Sequence, residues 1–356
     1  MFEHAAMNVR SDDAATVPIA NYRNEESNDI DVTAQLATKE SQEQMVGMKA
    51  VYDEFRNRPI IIRAHFCSDA DISLVVSDTT TTTNTNAASS NNSSSSGPLK
   101  VIKVIHFIRH GQGFHNLLAD IAIESGMTWT QFESSISNST TTNTHTASTT
   151  TPTTPKNNNP YMRPEVLDAP LTELGRKQAQ QLHYEIVQNF TTPIDCVYVS
   201  PHCRTLQTGL IAFQHCINHP PTTSKATGTV KIPFMVAHEL LREESGVHIC
   251  DQRRDIAWQS IEFPQYDFHS HCPNDIDPLF HSQTRETKLQ VAQRIYQFME
   301  YLSTLEQHVD NIAVVSHSGW LHILFNAIVQ DDCHPSLKKW FQTGEMRSVQ
   351  VEFIMQ

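Results

Sequence analysis

Three short stretches of the chain are almost continuously apolar. Residues 101–108 read Val-Ile-Lys-Val-Ile-His-Phe-Ile, residues 196–199 Cys-Val-Tyr-Val, and residues 312–315 Ile-Ala-Val-Val. A strand with one solvated face alternates apolar and polar residues, so a run without alternation indicates a strand that is buried on both faces. We therefore predict three central strands of a mainly parallel sheet.

In the segments between these runs, apolar residues recur at the spacing of a helix. The clearest pattern lies in residues 291–305, where apolar side chains are spaced by four, three, four and three. Residues 179–190 and 206–217 show the same periodicity more weakly. Strands that alternate with helices predict an α/β fold, a layered domain with helices on both faces of a mainly parallel sheet. We assign this domain to residues 99–356.

Low-complexity tracts interrupt the chain. Residues 79–96 are Ser, Thr or Asn at 16 of 18 positions, and residues 134–159 at 20 of 26. Such tracts bury too little apolar surface to offset the entropy of ordering them, so both are predicted to be disordered. Residues 1–44 are polar and aperiodic and are predicted to form a disordered tail. Residues 45–98 are an extension that could add one helix and one strand to the main domain.

Composition narrows the class of protein. The net charge of −13 disfavours nucleic acid or an anionic membrane as the main partner. The chain contains no run of 18 apolar residues, so no membrane span is predicted. The N-terminus lacks the pattern of a secretory signal. The seven cysteines lack the tight pairing of a disulfide scaffold, which is typical of a reducing compartment, so we expect a cytoplasmic protein.

Each buried strand is followed by a cluster of polar residues. Ligands of open α/β sheets bind beyond the carboxyl ends of the strands, so the clusters are expected to share one pocket. Two arginines, two histidines and several helix-start amides can hold a tetrahedral dianion while one imidazole attacks it. The clusters are Arg109-His110-Gly111-Gln112-Gly113-Phe114-His115-Asn116, Ser200-Pro201-His202-Cys203-Arg204-Thr205 and Ser316-His317-Ser318-Gly319.

These motifs resemble the histidine phosphatase superfamily, whose fold is phosphoglycerate mutase-like. The family signature is Arg-His-Gly after the first strand, with an Asn five residues after the Gly. The resemblance covers roughly residues 99–352, excluding the insert. The later family elements follow in order as Leu171-Thr172-Glu173-Leu174-Gly175, Ser200-Pro201 with Arg204-Thr205, Leu241-Arg242-Glu243, and Ser316-His317-Ser318-Gly319.

The resemblance implies a phosphatase that cleaves a phosphorylated small molecule through a phosphohistidine, without a cofactor. It makes His110 the nucleophile and Glu243 the acid. Glu244 remains possible as the acid, because Gly246 follows Glu243 by three residues instead of the usual four. The residues implied to hold the phosphate are Arg109, Gly111, Asn116, Arg204 and His317.

Several alternatives stay open at this point. A phosphomutase would return the phosphoryl group to another hydroxyl, and a catalytically silent protein would only bind phosphate. Arg253 and Arg254 are candidates for substrate specificity, but they could equally be solvated. A zinc site is rejected, because His106 and His110 lie on a strand and at its end and no Cys-x-x-Cys pair exists. Substrate and oligomeric state are not readable from the sequence.

Overall fold

A six-stranded sheet is the centre of the protein in the computed structural model. Its strand order is β1-β6-β2-β5-β3-β4, and only β6 runs antiparallel to its neighbours. The strands are β1 Ile60–Phe66, β2 Lys100–Arg109, β3 Cys196–Val199, β4 Phe234–Ala237, β5 Asn311–Ser316 and β6 Met346–Met355. The three predicted strands are β2, β3 and β5, which are adjacent and parallel. The mainly parallel sheet is therefore confirmed.

The structure describes residues 48–56, 58–67, 98–127, 159–218, 234–305, 309–330 and 333–356. The predicted tail 1–44, the tract 79–96 and residues 134–158 of the insert lie outside these residues. Within the described ranges, no helix combines the length and the apolar character that a membrane crossing needs.

Helices cover both faces of the sheet, as the periodicity predicts. They are α1 at residues 48–55, α2 Phe114–Glu124, α3 Glu173–Asn189, α4 Cys203–Ala212, α5 Gln214–Asn218, α6 Ile256–Glu262, α7 Lys288–Thr304 and α8 Ser318–Ile323, the last continued by a π-helical turn Leu324–Ile328. Residues of the central strands β2, β3 and β5 enter two separate cores. In β5, Val314 packs on the side of α7, whereas Val315 packs on the side of α3 and α4. Strands buried on both faces explain the unbroken apolar runs.

The predicted extension before the main domain contributes to the fold. Residues 48–55 are helical, and Val51 and Phe55 are buried in the core beside α7. Strand β1 pairs antiparallel with β6 over its whole length, from Ile60 opposite Met355 onward. The extension therefore belongs to the same sheet as β2, β3 and β5.

Three details differ from the predicted elements. Strand β4 is only four residues long, too short for a periodicity to be recognised. Strand β6 alternates buried and half-buried residues, and we predicted no strand there from the sequence. The single helix predicted over 206–217 is divided at Phe213, which is buried and separates α4 from α5.

His106 in β2 is a buried histidine with a structural role. Its Nε2 donates to Asn311 Oδ1 at 2.8 Å, and its Nδ1 accepts from Ser348 Oγ at 2.7 Å. Burial lowers the pKa of His106 to about 4, so the ring is neutral in the fold at pH 7. Protonation of Nδ1 would reverse the bond with Ser348, whose hydroxyl would have to turn and accept.

We predict that His106 makes the protein acid-sensitive. A histidine in the unfolded chain gains its proton near pH 6.5, well before the folded one, so stability falls as pH drops from 6.5 towards 4. Between pH 7.5 and 5.5, the free energy of unfolding should fall by about 1.4 kcal/mol more in the wild type than in His106→Gln. Urea denaturation at the two pH values measures this difference. His65→Gln, which replaces an exposed histidine, is the control, and equal slopes for wild type and His106→Gln would contradict the assignment.

Candidate active site

The predicted polar clusters meet at one edge of the sheet. The register pairs Arg109 with Ser316 across β2 and β5, and β3 runs parallel to β5 on its other side. The next residues along the two strands, His110 and His317, have ring centroids 5.1 Å apart. Neighbouring parallel strands thus deliver both histidines to the same place, as the rule for open α/β sheets predicts.

His110 is held as a neutral imidazole with one free lone pair. Its side chain is 2% exposed, and Nδ1 lies 2.7 Å from the carbonyl oxygen of Gly111. A carbonyl can only accept, so Nδ1 carries the proton and Nε2 carries the lone pair. Burial, followed by the charges of Arg204 and Arg109, lowers the pKa of His110 well below its usual value. The ring is therefore uncharged at pH 7 and has the form of a nucleophile.

Arg204 enters the site from the first turn of α4 with its charge already compensated. Its guanidinium donates to the carbonyl oxygen of Cys250 at 2.7 Å and to Asp251 Oδ1 at 3.1 Å. Its Nε donates to His317 Nδ1 at 3.3 Å. The side chain is 1% exposed, so these bonds fix its direction before any ligand arrives.

Arg109 has one buried nitrogen without a hydrogen-bond partner. Its Nη1 donates to the carbonyl oxygen of Phe341 at 2.6 Å, whereas its Nε is buried without a hydrogen-bond partner. Burial lowers the pKa of Arg109, and the charge of Glu243 opposes that shift. A buried N–H without an acceptor is costly, and a bound anion would supply the missing acceptor.

Gly111 has a packing role that the sequence did not indicate. A Cβ on Gly111 would lie 2.4 Å from the carbonyl oxygen of Gly175, so the turn after β2 touches the start of α3 backbone to backbone. Its N–H donates to Thr208 Oγ1 at 3.1 Å. The predicted contact between the Gly111 amide and phosphate is therefore corrected, because that donor is already used.

Asn116 lies in the first turn of α2 and closes that turn onto Gly113. Its Oδ1 accepts from the Gly113 N–H at 3.0 Å. The carboxamide nitrogen, which only donates, is therefore the end that can bind an anion.

The two candidate acids differ in their surroundings. Glu243 Oε2 accepts from the Gly319 N–H at 3.0 Å, two residues beyond His317. Glu244 turns away and is ion-paired with Arg285, 2.9 Å from its Nε, and with Lys288. The structure thus places the carboxylate of Glu243, and not that of Glu244, against the start of α8, directly after His317.

Arg253 is corrected from a candidate for specificity to a structural residue. Its side chain is buried, and its Nε donates to Glu239 Oε1 at 3.1 Å. The other two nitrogens donate to backbone carbonyls, the shortest bonds being 2.7 Å to Asp275 and to Asn274. With every nitrogen bonded to protein, no donor remains for a substrate.

Arg254 has a different environment from Arg253. Its guanidinium stacks on the exposed ring of Trp258, 4.7 Å from the centroid. This contact leaves the group half-buried and not fully solvated.

Three aromatic rings form a wall next to His110. The ring of His115 lies 5.7 Å from that of His110, Tyr161 lies 5.8 Å from His115, and His248 lies 5.2 Å from Tyr161. Tyr161 follows Asn159, a buried residue that caps a 3-10 turn, Pro160–Met162. Asn159 is therefore an ordered part of the fold, which corrects the predicted end of the disordered insert by one residue.

The sequence missed the partners of the catalytic side chains. Asp251 binds Arg204, yet no motif marks it, because the pairing depends on a 3-10 turn, Ile249–Asp251, that the fold brings over the site. Asp168 adopts a left-handed conformation with φ 46°, and its Oδ1 accepts from the Cys203 N–H at 2.8 Å at the start of α4. A non-glycine residue with positive φ is a structural signal that the sequence does not carry.

Among the residues that the structure describes, no three His, Cys, Asp or Glu side chains converge in a way that could hold a metal ion.

The fold and site define a class of α/β proteins in which paired histidines and arginines meet beyond parallel strands. The family model of the histidine phosphatase superfamily (branch 1) matches residues 156–224. Phosphoglycerate mutase-like protein 1 of Arabidopsis thaliana is 30% identical over 270 residues, which cover 71% of this chain and 82% of that protein. The chain therefore belongs to the histidine phosphatase superfamily.

Two further proteins are similar to this chain. Phosphoglycerate mutase-like protein 2 of Arabidopsis thaliana is 29% identical over 294 residues, covering 70% of this chain and 74% of that protein. The alpha-ribazole phosphatase from Shigella flexneri is 17% identical, with a TM-score of 0.36 over 71% of this chain and 96% of that chain. At that score, the structural likeness carries no argument.

We predict that Gly111→Ala damages both fold and site. The added Cβ cannot occupy a point 2.4 Å from a backbone oxygen, so the turn carrying His110 must move away from Gly175. Tungstate is a tetrahedral dianion like phosphate and can report on the site. Since misplacement of a functional group by about 1 Å can reduce a rate by about 10²-fold, we expect tungstate affinity to fall at least about tenfold, together with Tm. Gly126→Ala is the control, because its Cβ meets nothing within 4 Å and only backbone strain is added. Unchanged tungstate binding in Gly111→Ala would show that the contact does not position the site.

Proposed function

We propose that the protein hydrolyses a phosphate monoester of a small molecule through a phosphohistidine on His110. The observation that carries the proposal is the hydrogen bond from His110 Nδ1 to the Gly111 carbonyl, which directs the Nε2 lone pair to attack. Arg109, Arg204 and His317 surround this nitrogen with positive or hydrogen-bonding groups. Family membership supports the same reaction class.

In the first step, His110 Nε2 attacks phosphorus and the P–O ester bond breaks. The departing alkoxide takes a proton from the carboxyl group of Glu243, so an alcohol leaves and a phosphohistidine remains. Each oxygen of Glu243 already accepts one backbone N–H, from Gly319 and from Glu244. A carboxylate has about four acceptor positions, so room for the transferred proton remains.

In the second step, water replaces His110 on phosphorus. The carboxylate of Glu243 removes a proton from that water, the new P–O bond forms, and the P–N bond breaks. Inorganic phosphate leaves, and His110 regains its lone pair. Glu243 is again protonated, so the cycle closes without a further reactant.

Charge on the transferring phosphoryl group is stabilised by groups that are in place beforehand. Arg109 Nε, the carboxamide nitrogen of Asn116 and the guanidinium of Arg204 are the proposed donors, joined by His317. Catalysis of phosphoryl transfer depends mostly on positioning and on charge stabilisation of this kind. The unpartnered Arg109 Nε is the best-supported of these contacts.

The names of the Arabidopsis relatives favour keeping one alternative. A phosphomutase would pass the phosphoryl group from His110 to a second hydroxyl of the substrate and not to water. Isomerisation of 3-phosphoglycerate would identify a mutase, whereas release of inorganic phosphate from p-nitrophenyl phosphate identifies a phosphatase. A protein that binds phosphate without turnover would do neither.

We predict that rapid quenching with a ³²P-labelled ester traps an acid-labile, alkali-stable phosphoenzyme. It should be absent from His110→Ala, because the bond from Nδ1 to the Gly111 carbonyl leaves the Nε2 lone pair of His110 as the proposed attacking group. His269→Ala, which removes an exposed histidine, is the matched control and should label like the wild type. Full turnover by His110→Ala would contradict the mechanism.

A second prediction concerns the acid. Glu243→Gln should slow hydrolysis of an alkyl phosphate by about 10²–10⁴, the usual size of a general-acid effect. It should slow a nitrophenyl ester far less, because nitrophenolate departs without a proton. Glu244→Gln is the matched control and should show no dependence on the leaving group, since its carboxylate binds Arg285 and Lys288. The reverse result would assign the acid to Glu244.

A further inference from the structure

A chain of hydrogen bonds links His317 to the turn between β3 and α4. His317 Nε2 lies 2.8 Å from Ser200 Oγ, which lies 3.2 Å from His202 Nδ1. His202 Nε2 lies 3.1 Å from the carbonyl oxygen of Asp251. Ser200, His202 and His317 are all fully buried, so water does not compete for these bonds.

The two ends of this chain fix the direction of every bond in it. The Asp251 carbonyl can only accept, so His202 carries its proton on Nε2 and accepts at Nδ1. Ser200 then donates its hydroxyl proton to His202 and accepts from His317 Nε2. At the other end, Arg204 Nε can only donate, so His317 must accept at Nδ1. Both ends therefore assign the same tautomer to His317, with the proton on Nε2.

This tautomer has a consequence for anion binding. The Nδ1 lone pair of His317 is on the side of Arg204, and the His317 ring lies 5.1 Å from the nucleophile His110. A lone pair repels the oxygen of a bound phosphate dianion. His317 can hold that oxygen only after Nδ1 has gained a proton of its own.

We propose that His202 is a positioning residue that acts through Ser200 to keep the proton of His317 on Nε2, so that binding of a tetrahedral dianion is coupled to protonation of His317 at Nδ1. The inference rests on the proposed function, since it takes the site of His110 to be the phosphate site. On binding, Arg204 Nε transfers its hydrogen bond from His317 to the anion. The imidazolium then donates to the anion through Nδ1 and to Ser200 through Nε2.

The surroundings of His317 support this coupling. Burial, followed by the charge of Arg204 and the neighbouring histidines, lowers the pKa of His317 well below its usual value, so the ring is neutral in the empty site. A dianion adds two negative charges among these groups and favours the imidazolium. The titratable and charged groups that face His317 are Arg204 on α4, His110 after β2, His202 after β3, His115 on α2 and, at Gly319, the carboxylate of Glu243.

Replacement of His202 changes what Ser200 can do. In His202→Leu the Ser200 hydroxyl has lost its acceptor and can turn to donate to His317 Nε2. His317 is then free to carry its proton on Nδ1 and to donate to an anion without gaining another proton. In His202→Asn the side-chain oxygen takes the place of Nδ1 and still accepts from Ser200.

The test measures protons taken up when tungstate binds at pH 7.5. Tungstate is a tetrahedral dianion that brings no proton at this pH, and calorimetry in buffers of different ionisation enthalpy gives the uptake. We expect His202→Leu to take up about one proton fewer than the wild type, and His202→Asn to match the wild type. Each proton linked to binding makes affinity change about tenfold per pH unit, so tungstate Kd should depend less on pH in His202→Leu.

The outcomes separate this inference from the proposed function. Equal proton uptake by wild type and His202→Leu overturns the role of His202, whatever the activity. Absence of a phosphoenzyme on His110 overturns the proposed function, while tungstate uptake still reports on His317. If His202→Leu fails to fold, Ser200→Ala removes the same link. It must then show the reduced uptake, and wild-type uptake in Ser200→Ala would contradict the proposal.

Discussion

The buried charge of Arg204 is the constraint on which the rest of the site depends. A guanidinium that is 1% exposed is tolerable only if it is paired and hydrogen-bonded. Asp251 and the Cys250 carbonyl meet that need, which requires the turn Ile249–Asp251 to lie over the carboxyl edge of the sheet. Asp251 also binds Arg285, and its carbonyl accepts from His202. The turn Ile249–Asp251 therefore compensates the charge of Arg204 and binds Arg285. Its Asp251 carbonyl also ends the series of hydrogen bonds that leads to His317.

Arg204 and Arg109 affect His110, the proposed nucleophile, in two ways. Burial and the charges of Arg204 and Arg109 lower the pKa of His110, so its lone pair is free at neutral pH. Those charges would also attract and neutralise a phosphate dianion. In the proposed mechanism, the arginines that bind the substrate thus also keep His110 Nε2 deprotonated, and no separate base beside His110 is required. Folding supplies the free energy needed to bring these charges together. They need not be rearranged during the reaction, and for this reason a preorganised site stabilises a transition state.

The sequence predicted the layout well and the supporting contacts poorly. Strands β2, β3 and β5 were recognisable because burial on both faces removes alternation, and their polar ends located Arg109, His110, Arg204 and His317 correctly. The role of Asp251 could not be predicted from the sequence, because its partner Arg204 lies on α4, 47 residues earlier in the chain. Arg253 shows the opposite error. An arginine in a loop near the site was read as a ligand contact or a solvated group, whereas the fold surrounds it with carbonyl and carboxylate oxygens.

The adjacent glutamates show why a motif alone could not assign the acid. After Glu244 the chain reverses through two consecutive left-handed residues, Gly246 with φ 93° and Val247 with φ 62°. A Cβ on Gly246 would lie 2.0 Å from the carbonyl oxygen of Thr284, so the close approach there requires glycine.

The segment before this reversal is held by Arg294, which donates to the carbonyl oxygens of Leu240, Arg242 and Glu243. With the backbone fixed on both sides, neighbouring side chains must point in different directions. Glu243 is directed to the Gly319 amide and Glu244 to Arg285. The shortened spacing to Gly246 therefore belongs to a turn that separates the two carboxylates, and it leaves Glu243, the proposed acid, bound to the amide two residues after His317.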